Sequence, residues 1–183
     1  MLKHSMLLAL SWGTFSMAPI AAPDLTPQKL PVYGGSGGVA FERSCGAGKV
    51  LTGFRYRTGM FLDAVGLLCR PVYADGTLGP ETSVGTLAGG GGGTSSAHGC
   101  AAGGVVTGVT IHAGTFINGI HVTCMHWLAA ERRYALEDFG WFFGTTVPYP
   151  KKEACESDRQ PAHGIRGRAA TYVDAFGVVC DEP

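Results

Sequence analysis

The most regularly spaced reactive residues of this chain are its six cysteines. Cys45 and Cys69 enclose 23 residues, Cys100 and Cys124 enclose 23, and Cys155 and Cys180 enclose 24. Structural zinc needs Cys-x2-4-Cys pairs or nearby histidines at comparable range, and neither spacing occurs. Of the histidines beyond residue 22, only His121 and His126 stand close together, and five positions apart on a strand they face opposite sides. No metal site is expected. The pattern predicts disulfides and an oxidising compartment. The first members fall at 45, 100 and 155, a constant step of 55. That repeat favours pairing within each unit, and closing one such loop contributes about 3 kcal/mol in the chain-entropy model.

Other reactive side chains are less organised. Gly34 to Gly38 reads Gly-Gly-Ser-Gly-Gly, a textual match to a nucleophile elbow, but it precedes a strand rather than joining strand to helix, so Ser36 is not assigned a catalytic role. No paired-carboxylate signature of a glycosidase is present, and the chain is read as a non-enzyme without cofactor. Three acidic or amide residues recur four positions after a small one: Gly59 to Asp63, Gly114 to Asn118 and Ala170 to Asp174. On residue type alone these can cap their own turns, since Asp and Asn bond their own backbone there. Glycine runs occur at Gly34–Gly38 and Gly89–Gly93, while the third equivalent stretch reads Gly144-Thr145-Thr146-Val147-Pro148. Lys plus Arg and Asp plus Glu number 14 each, with no basic stripe, which leaves nothing to steer nucleic acid phosphates.

These residues sit on a unit written three times. Leu51-Thr52-Gly53-Phe54 answers Val106-Thr107-Gly108-Val109 and, more loosely, Ala162-His163-Gly164-Ile165. Phe61-Leu62-Asp63-Ala64-Val65 answers Phe116-Ile117-Asn118-Gly119-Ile120 and Tyr172-Val173-Asp174-Ala175-Phe176. The period is two, so each copy predicts a hairpin; Val50, Thr52, Phe54 and Tyr56 are expected on one face, with Leu51 and Gly53 on the other. Folding each hairpin about its turn is expected to bring its two cysteines together. Three such sheets bury their apolar faces only against one another. The expected fold is all-β, a disulfide-braced three-sided prism with pseudo-threefold symmetry. Residues 129–137 contain good helix formers, but their counterpart Ala74 to Pro80 does not, so strand and turn are expected there. Residues 1–22 read as a signal peptide, with Lys3 and His4 before an apolar run and Ala21-Ala22 at its end, and 23–32 as a proline-bearing lead-in. One domain follows over 33–183, with repeats at about 33–87, 88–142 and 143–183. No stretch beyond the leader is long enough to span a bilayer. The expected location is secreted or periplasmic.

The glycine opening, the repeated hairpin and the Gly-x-x-x-Asp turn resemble the jacalin-related lectins, which implies a β-prism of three Greek-key units. The cysteine pairs, with apolar runs closing on cysteine such as Asn118 to Cys124, are similar to the vitelline membrane outer layer protein, another β-prism. The lectin resemblance implies carbohydrate binding between a Gly-x-x-x-Asp turn and the glycine loop of the following unit. Carried over, it pairs Gly59, Phe61, Leu62 and Asp63 with Gly89 and Gly90, and Tyr172, Val173 and Asp174 with Gly34 and Gly35. The third combination, Asn118 with Gly144 to Pro148, is expected to be weak or dead. A fixed carboxylate with backbone donors suits the vicinal hydroxyls of a neutral hexose. The second resemblance implies a different role: a non-catalytic structural or protein-binding β-prism, inhibitor-like or immunity-like, of the extracytoplasmic space. The expected partners are thus a glycan, a cell-envelope component or another protein.

Overall fold

The computed structural model describes residues 26–183, so the proposed leader at 1–22 lies outside the described residues. In chain order the strands begin with β1 (Gln28–Lys29), β2 (Tyr33–Gly34), β3 (Val39–Ser44), β4 (Lys49–Thr58) and β5 (Leu62–Pro71). They continue with β6 (Thr82–Gly89), β7 (Thr94–Gly99), β8 (Gly104–Ala113) and β9 (Ile117–Leu128). A single 3-10 turn at Ala129–Glu131 then leads to β10 (Arg133–Gly144), β11 (Lys151–Ala154), β12 (Ala162–Ala169) and β13 (Val173–Cys180). The helix formers at 129–137 therefore make one tight turn and enter a strand, because the sheet edge competes successfully for their backbone groups. Among the described residues no helix is long and apolar enough to cross a membrane.

The alternating runs form three inner hairpins, β4–β5, β8–β9 and β12–β13, each flanked by two outer strands. The orders are β6-β5-β4-β7, β10-β9-β8-β11 and β1-β13-β12-β3, with β2 also on β13, and every pairing is antiparallel. The fold is a β-prism of Greek-key sheets. The third sheet takes its outer strands from the other end of the chain, which closes the ring. The lead-in contributes to this closure: β1 pairs with β13, and Leu30 is buried and donates its N–H to Val178 O at 3.0 Å.

Sequence repeat and sheet are out of phase, and the cysteines mark the crossing points. The chain leaves an outer strand at Cys45, Cys100 or Cys155 and enters the inner hairpin of the next sheet. Pairing is within each repeat, Cys45–Cys69, Cys100–Cys124 and Cys155–Cys180, with Cα separations of 5.7, 5.8 and 5.8 Å. The geometry differs from a hairpin closing on itself. Each bond ties the exit of β3, β7 or β11 to β5, β9 or β13 of the neighbouring sheet, so three bonds staple three edges. A bulge in each inner strand receives the crossing: the carbonyls of Thr52, Thr107 and His163 accept the N–H groups of Cys100, Cys155 and Cys45 at 2.7, 2.8 and 2.8 Å. The bulge shifts the phase of the strand. Leu51, expected opposite to Phe54, is as fully buried as Phe54.

Equivalent positions fill the axis in layers: Phe54 with Val109 and Ile165, Val65 with Ile120 and Phe176, Leu67 with Val122 and Val178. Burying each large side chain contributes on the order of 2 kcal/mol. Phe54 and Phe176 are the largest; the Phe54 ring lies 6.1 Å from both Phe176 and Phe143 and 6.3 Å from Trp141. Of the aromatic run Trp127, Trp141, Phe142 and Phe143, only Phe142 is exposed. Trp127 is buried with its indole N–H on Gly76 O at 2.8 Å, and Phe143 stacks on Tyr56 with ring centroids 4.2 Å apart.

Candidate functional site

The three inner hairpins turn at one end of the prism, and each turn is closed by its own backbone. Gly59, Gly114 and Ala170 donate their N–H groups to Phe61, Phe116 and Tyr172 carbonyls at 3.0, 3.0 and 2.9 Å. The side chains of Asp63 and Asp174 are therefore not needed to make their turns. The rings of Phe61, Phe116 and Tyr172 meet on the axis with centroids 5.0 to 5.4 Å apart and form a partly exposed aromatic cap. Leu62 and Val173 point into the core and are fully buried, so neither residue is presented to a ligand, contrary to the expectation from sequence.

Each turn lies under a loop from an outer hairpin. Gly90, Gly35 and Thr145 donate N–H to the carbonyls of Asp63, Asp174 and Asn118 at 2.9, 2.8 and 2.9 Å. The structure thus brings Asp63 to the loop Gly89–Gly93, Asp174 to Gly34–Gly38, and Asn118 to the segment Gly144 to Pro148. In the first two, the carboxylate is pressed against bare glycine backbone. A Cβ built on Gly92 would overlap Asp63 Oδ1 and one on Gly93 would overlap Oδ2; Gly37 and Gly38 stand in the same relation to Asp174. Gly38 and Gly93 also have φ of 64° and 62°, in the left-handed region, so two demands for glycine coincide there. Gly34, Gly89 and Gly144, with φ of 130°, 123° and 92°, start each loop with a bend that all three copies share.

Asp63 and Asp174 are each only 5% exposed, and among the described residues Oδ2 of each has no hydrogen-bond partner. A buried carboxylate oxygen without a donor costs on the order of 1–3 kcal/mol or more. Neither oxygen is spent on stabilising the loop above it. A cavity of about 220 Å³ opens on Asp174, lined also by Phe116, Tyr172, Ala170 and Thr171. At about 30 Å³ per water it holds the volume of several waters, the scale of a single hexose ring.

Two arginines complete the arrangement. Arg57 Nε and one terminal nitrogen donate to the carbonyls of Gly92 and Gly93 at 2.6 and 2.9 Å. Arg168 grips Gly37 and Gly38 in the same way, at 2.7 Å each. This bidentate hold engages two consecutive loop carbonyls and fixes a segment that glycine alone would leave loose. In the third unit the equivalent residue is His112, whose Nδ1 lies 3.2 Å from both the N–H and the carbonyl of Val147. Sequence reasoning missed both arginines. The available signal was their alignment: Arg57 and Arg168 stand two residues before Gly59 and Ala170, and the one copy lacking the aspartate also lacks the arginine.

His121 and His126 are both exposed, and among the described residues no group of three or more metal-ligating side chains is placed to hold an ion.

Solved structures share this architecture. A mannose binding jacalin related lectin from Ananas comosus superposes with a TM-score of 0.59 at 20% identity, over 86% of this chain and 99% of its own. Calystegia sepium agglutinin gives 0.58 at 17% identity over 87% and 99%, and Malaysian banana lectin 0.56 at 18% over 86% and 100%. The fold is that of the jacalin-related lectins. No family model matches the chain, and no curated protein matches its sequence.

Proposed function

We propose that the protein is a secreted or periplasmic, non-catalytic carbohydrate-binding protein with two sites. One is Asp63 with Gly59 and the loop Gly89–Gly93; the other is Asp174 with Tyr172 and the loop Gly34–Gly38. The observation that carries this reading is the pair of buried carboxylates whose Oδ2 atoms lack donors beneath arginine-held glycine loops. A sugar donates its hydroxyls to the exposed edge of each carboxylate, and backbone amides of turn and loop answer the sugar's remaining oxygens. Neutral hexoses fit, because the site offers one fixed carboxylate and no excess charge to attract phosphate or sulfate. Mannose is the first sugar to try, since the Ananas comosus lectin of this fold is described as mannose binding. Three bonds between sheets are in keeping with an extracytoplasmic, oxidising environment.

A glycan array followed by calorimetric titration with methyl α-mannoside and other methyl hexosides tests this. Binding that is lost in the double variant Asp63→Asn, Asp174→Asn, with an unchanged circular dichroism spectrum, supports it. A folded, oxidised wild-type protein that binds nothing on the array refutes it.

A further inference from the structure

The two complete sites touch. Gly90 donates its N–H to Asp63 O at 2.9 Å, and Thr171 O lies so close to the same glycine that a Cβ there would collide with it. Thr171 belongs to the turn that ends at Asp174. One residue therefore separates the turn of one site from the turn of the other. By chain geometry the two aspartates lie within about 20 Å, since three residues span at most about 10 Å and the contacts through Gly90 add less than about 10 Å.

A groove of about 210 Å³ lies on the outer surface beside the bases of the two loops, lined by Val39, Phe41 and Arg43 of β3, Leu87 and Gly89 of β6, and Ala169. Its ends are defined by sequence. Gly89 opens the loop over Asp63, while Val39 directly follows the loop over Asp174 and Ala169 directly precedes the Asp174 turn. Val39 is 76% exposed, an aliphatic side chain presented to solvent at the site end of the prism. Arg43 gives one N–H to Glu42 O at 3.1 Å and carries further donors at the rim. An apolar wall with a planar cation beside it accepts a sugar ring: C–H faces lie against Val39 and Leu87, and hydroxyls reach the guanidinium.

Resting on the carbohydrate reading above, we propose that both sites and the groove beside them form one surface for a single hexose oligosaccharide, not two pockets for separate sugars. Terminal or branch residues occupy Asp63 and Asp174, and the intervening units lie along Val39, Leu87 and Arg43. The third prism edge cannot take part, because its site carries Asn118, Val147 and Pro148. Once one end of a ligand is held, the other site sees an effective concentration in the millimolar range or above, so affinity rises without any new contact type.

The test is calorimetry on the full oxidised chain with methyl α-mannoside and with α-linked mannose oligosaccharides of increasing length, with the mass of each complex followed by analytical ultracentrifugation. If the proposal holds, the monosaccharide titrates two sites per chain. A sufficiently long oligomer titrates one, binds at least tenfold tighter, and leaves the complex with a single protein chain. Asp63→Asn alone then returns the oligomer to monosaccharide-like affinity, and the surface change Val39→Glu reduces the oligomer gain at least fivefold. Two oligomers bound per chain with length-independent affinity overturn the proposal and leave the two-site lectin reading standing. A complex containing two protein chains also overturns it, by showing cross-linking between molecules. Failure of every hexoside and every oligomer to bind overturns both readings together.

Discussion

Alanine at Gly92 isolates the contact on which the site is built. Gly92 has no left-handed φ, and it is exposed, so neither backbone strain nor core packing opposes a methyl group there. Its Cβ would meet only Asp63, at Oδ1, Cγ and Cβ. The overlap with Oδ1 is severe, and the carboxylate is wedged between the loop and its own strand, so it cannot step aside without moving one of them. Overpacking of this kind costs about 1–3 kcal/mol. Gly92→Ala should therefore lower stability by about 2 kcal/mol when Asp63 is present and by less than about 0.5 kcal/mol in an Asp63→Ala background, a coupling of about 1.5 kcal/mol. Gly37→Ala should behave alike with Asp174. Gly93→Ala is the control: its Cβ would also strike the backbone of Thr58 and its φ is 62°, so its cost of about 1–2 kcal/mol or more should persist without the carboxylate. Urea unfolding under oxidising conditions measures all of these from the midpoint at constant m-value. Equal costs for Gly92→Ala with and without Asp63 would show that something other than the carboxylate excludes a side chain, and the account of the paired glycines would be wrong.

Two further outcomes are expected. Arg57→Lys keeps the charge but loses the two-pronged hold on Gly92 and Gly93; methyl mannoside affinity at the Asp63 site should fall about fivefold to tenfold, with stability changed by less than about 1 kcal/mol, and unchanged affinity in calorimetry would remove the arginine from the site. Burial, and then the nearby Asp158, push the Tyr134 hydroxyl up to about 12 from 10.0, so the fold favours its neutral form. That contribution is complete below pH 10 and disappears as pH rises through about 12. Stability should drop by roughly 2 kcal/mol across this window, and Tyr134→Phe should flatten the drop at a small constant cost from the lost bond to Cys155 O. An identical pH slope in denaturant titrations of both proteins would contradict it.

The features legible in the sequence are those that repeat. Cysteines at a fixed step, alternating apolar residues and small turn residues recur in each copy, and together they specify three hairpins around an axis. What repeats less visibly was harder to read. The bulges at Thr52, Thr107 and His163 have no single residue type behind them, because their cause lies in the neighbouring strand, whose cysteine amide needs a carbonyl to receive it. The closure of the third sheet by β1 to β3 is a long-range pairing between the two ends of the chain, and local pattern carries no information about it. For the same reason the phase between repeat and sheet was invisible: a cysteine spacing of 24 suits a bond within a hairpin and a bond between sheets equally well. The arginines were obscured by their type, since an alternating strand with Arg55 and Arg57 reads as a solvated face.

The third unit separates what the fold requires from what the other two units add. Its turn closes through the same backbone bond, Gly114 N–H to Phe116 O, and its loop docks through the same bond, Thr145 N–H to Asn118 O. Its core residues Ile117 and Ile120 are as buried as their counterparts. All of this is achieved with an amide for the carboxylate, Val147 and Pro148 for the paired glycines, and His112 for the arginine. The aspartate, the two bare Cα positions and the guanidinium are thus dispensable to the prism, and they are present or absent as a set. Turn capping would require only the aspartate, and loop flexibility only the glycines. Neither accounts for a burial that leaves an oxygen without a donor and so subtracts from stability. The carbohydrate reading proposed for Asp63 and Asp174 gives the aspartate, the two glycines and the arginine one common purpose, a carboxylate and loop backbone held in fixed relation for the hydroxyls of a ligand.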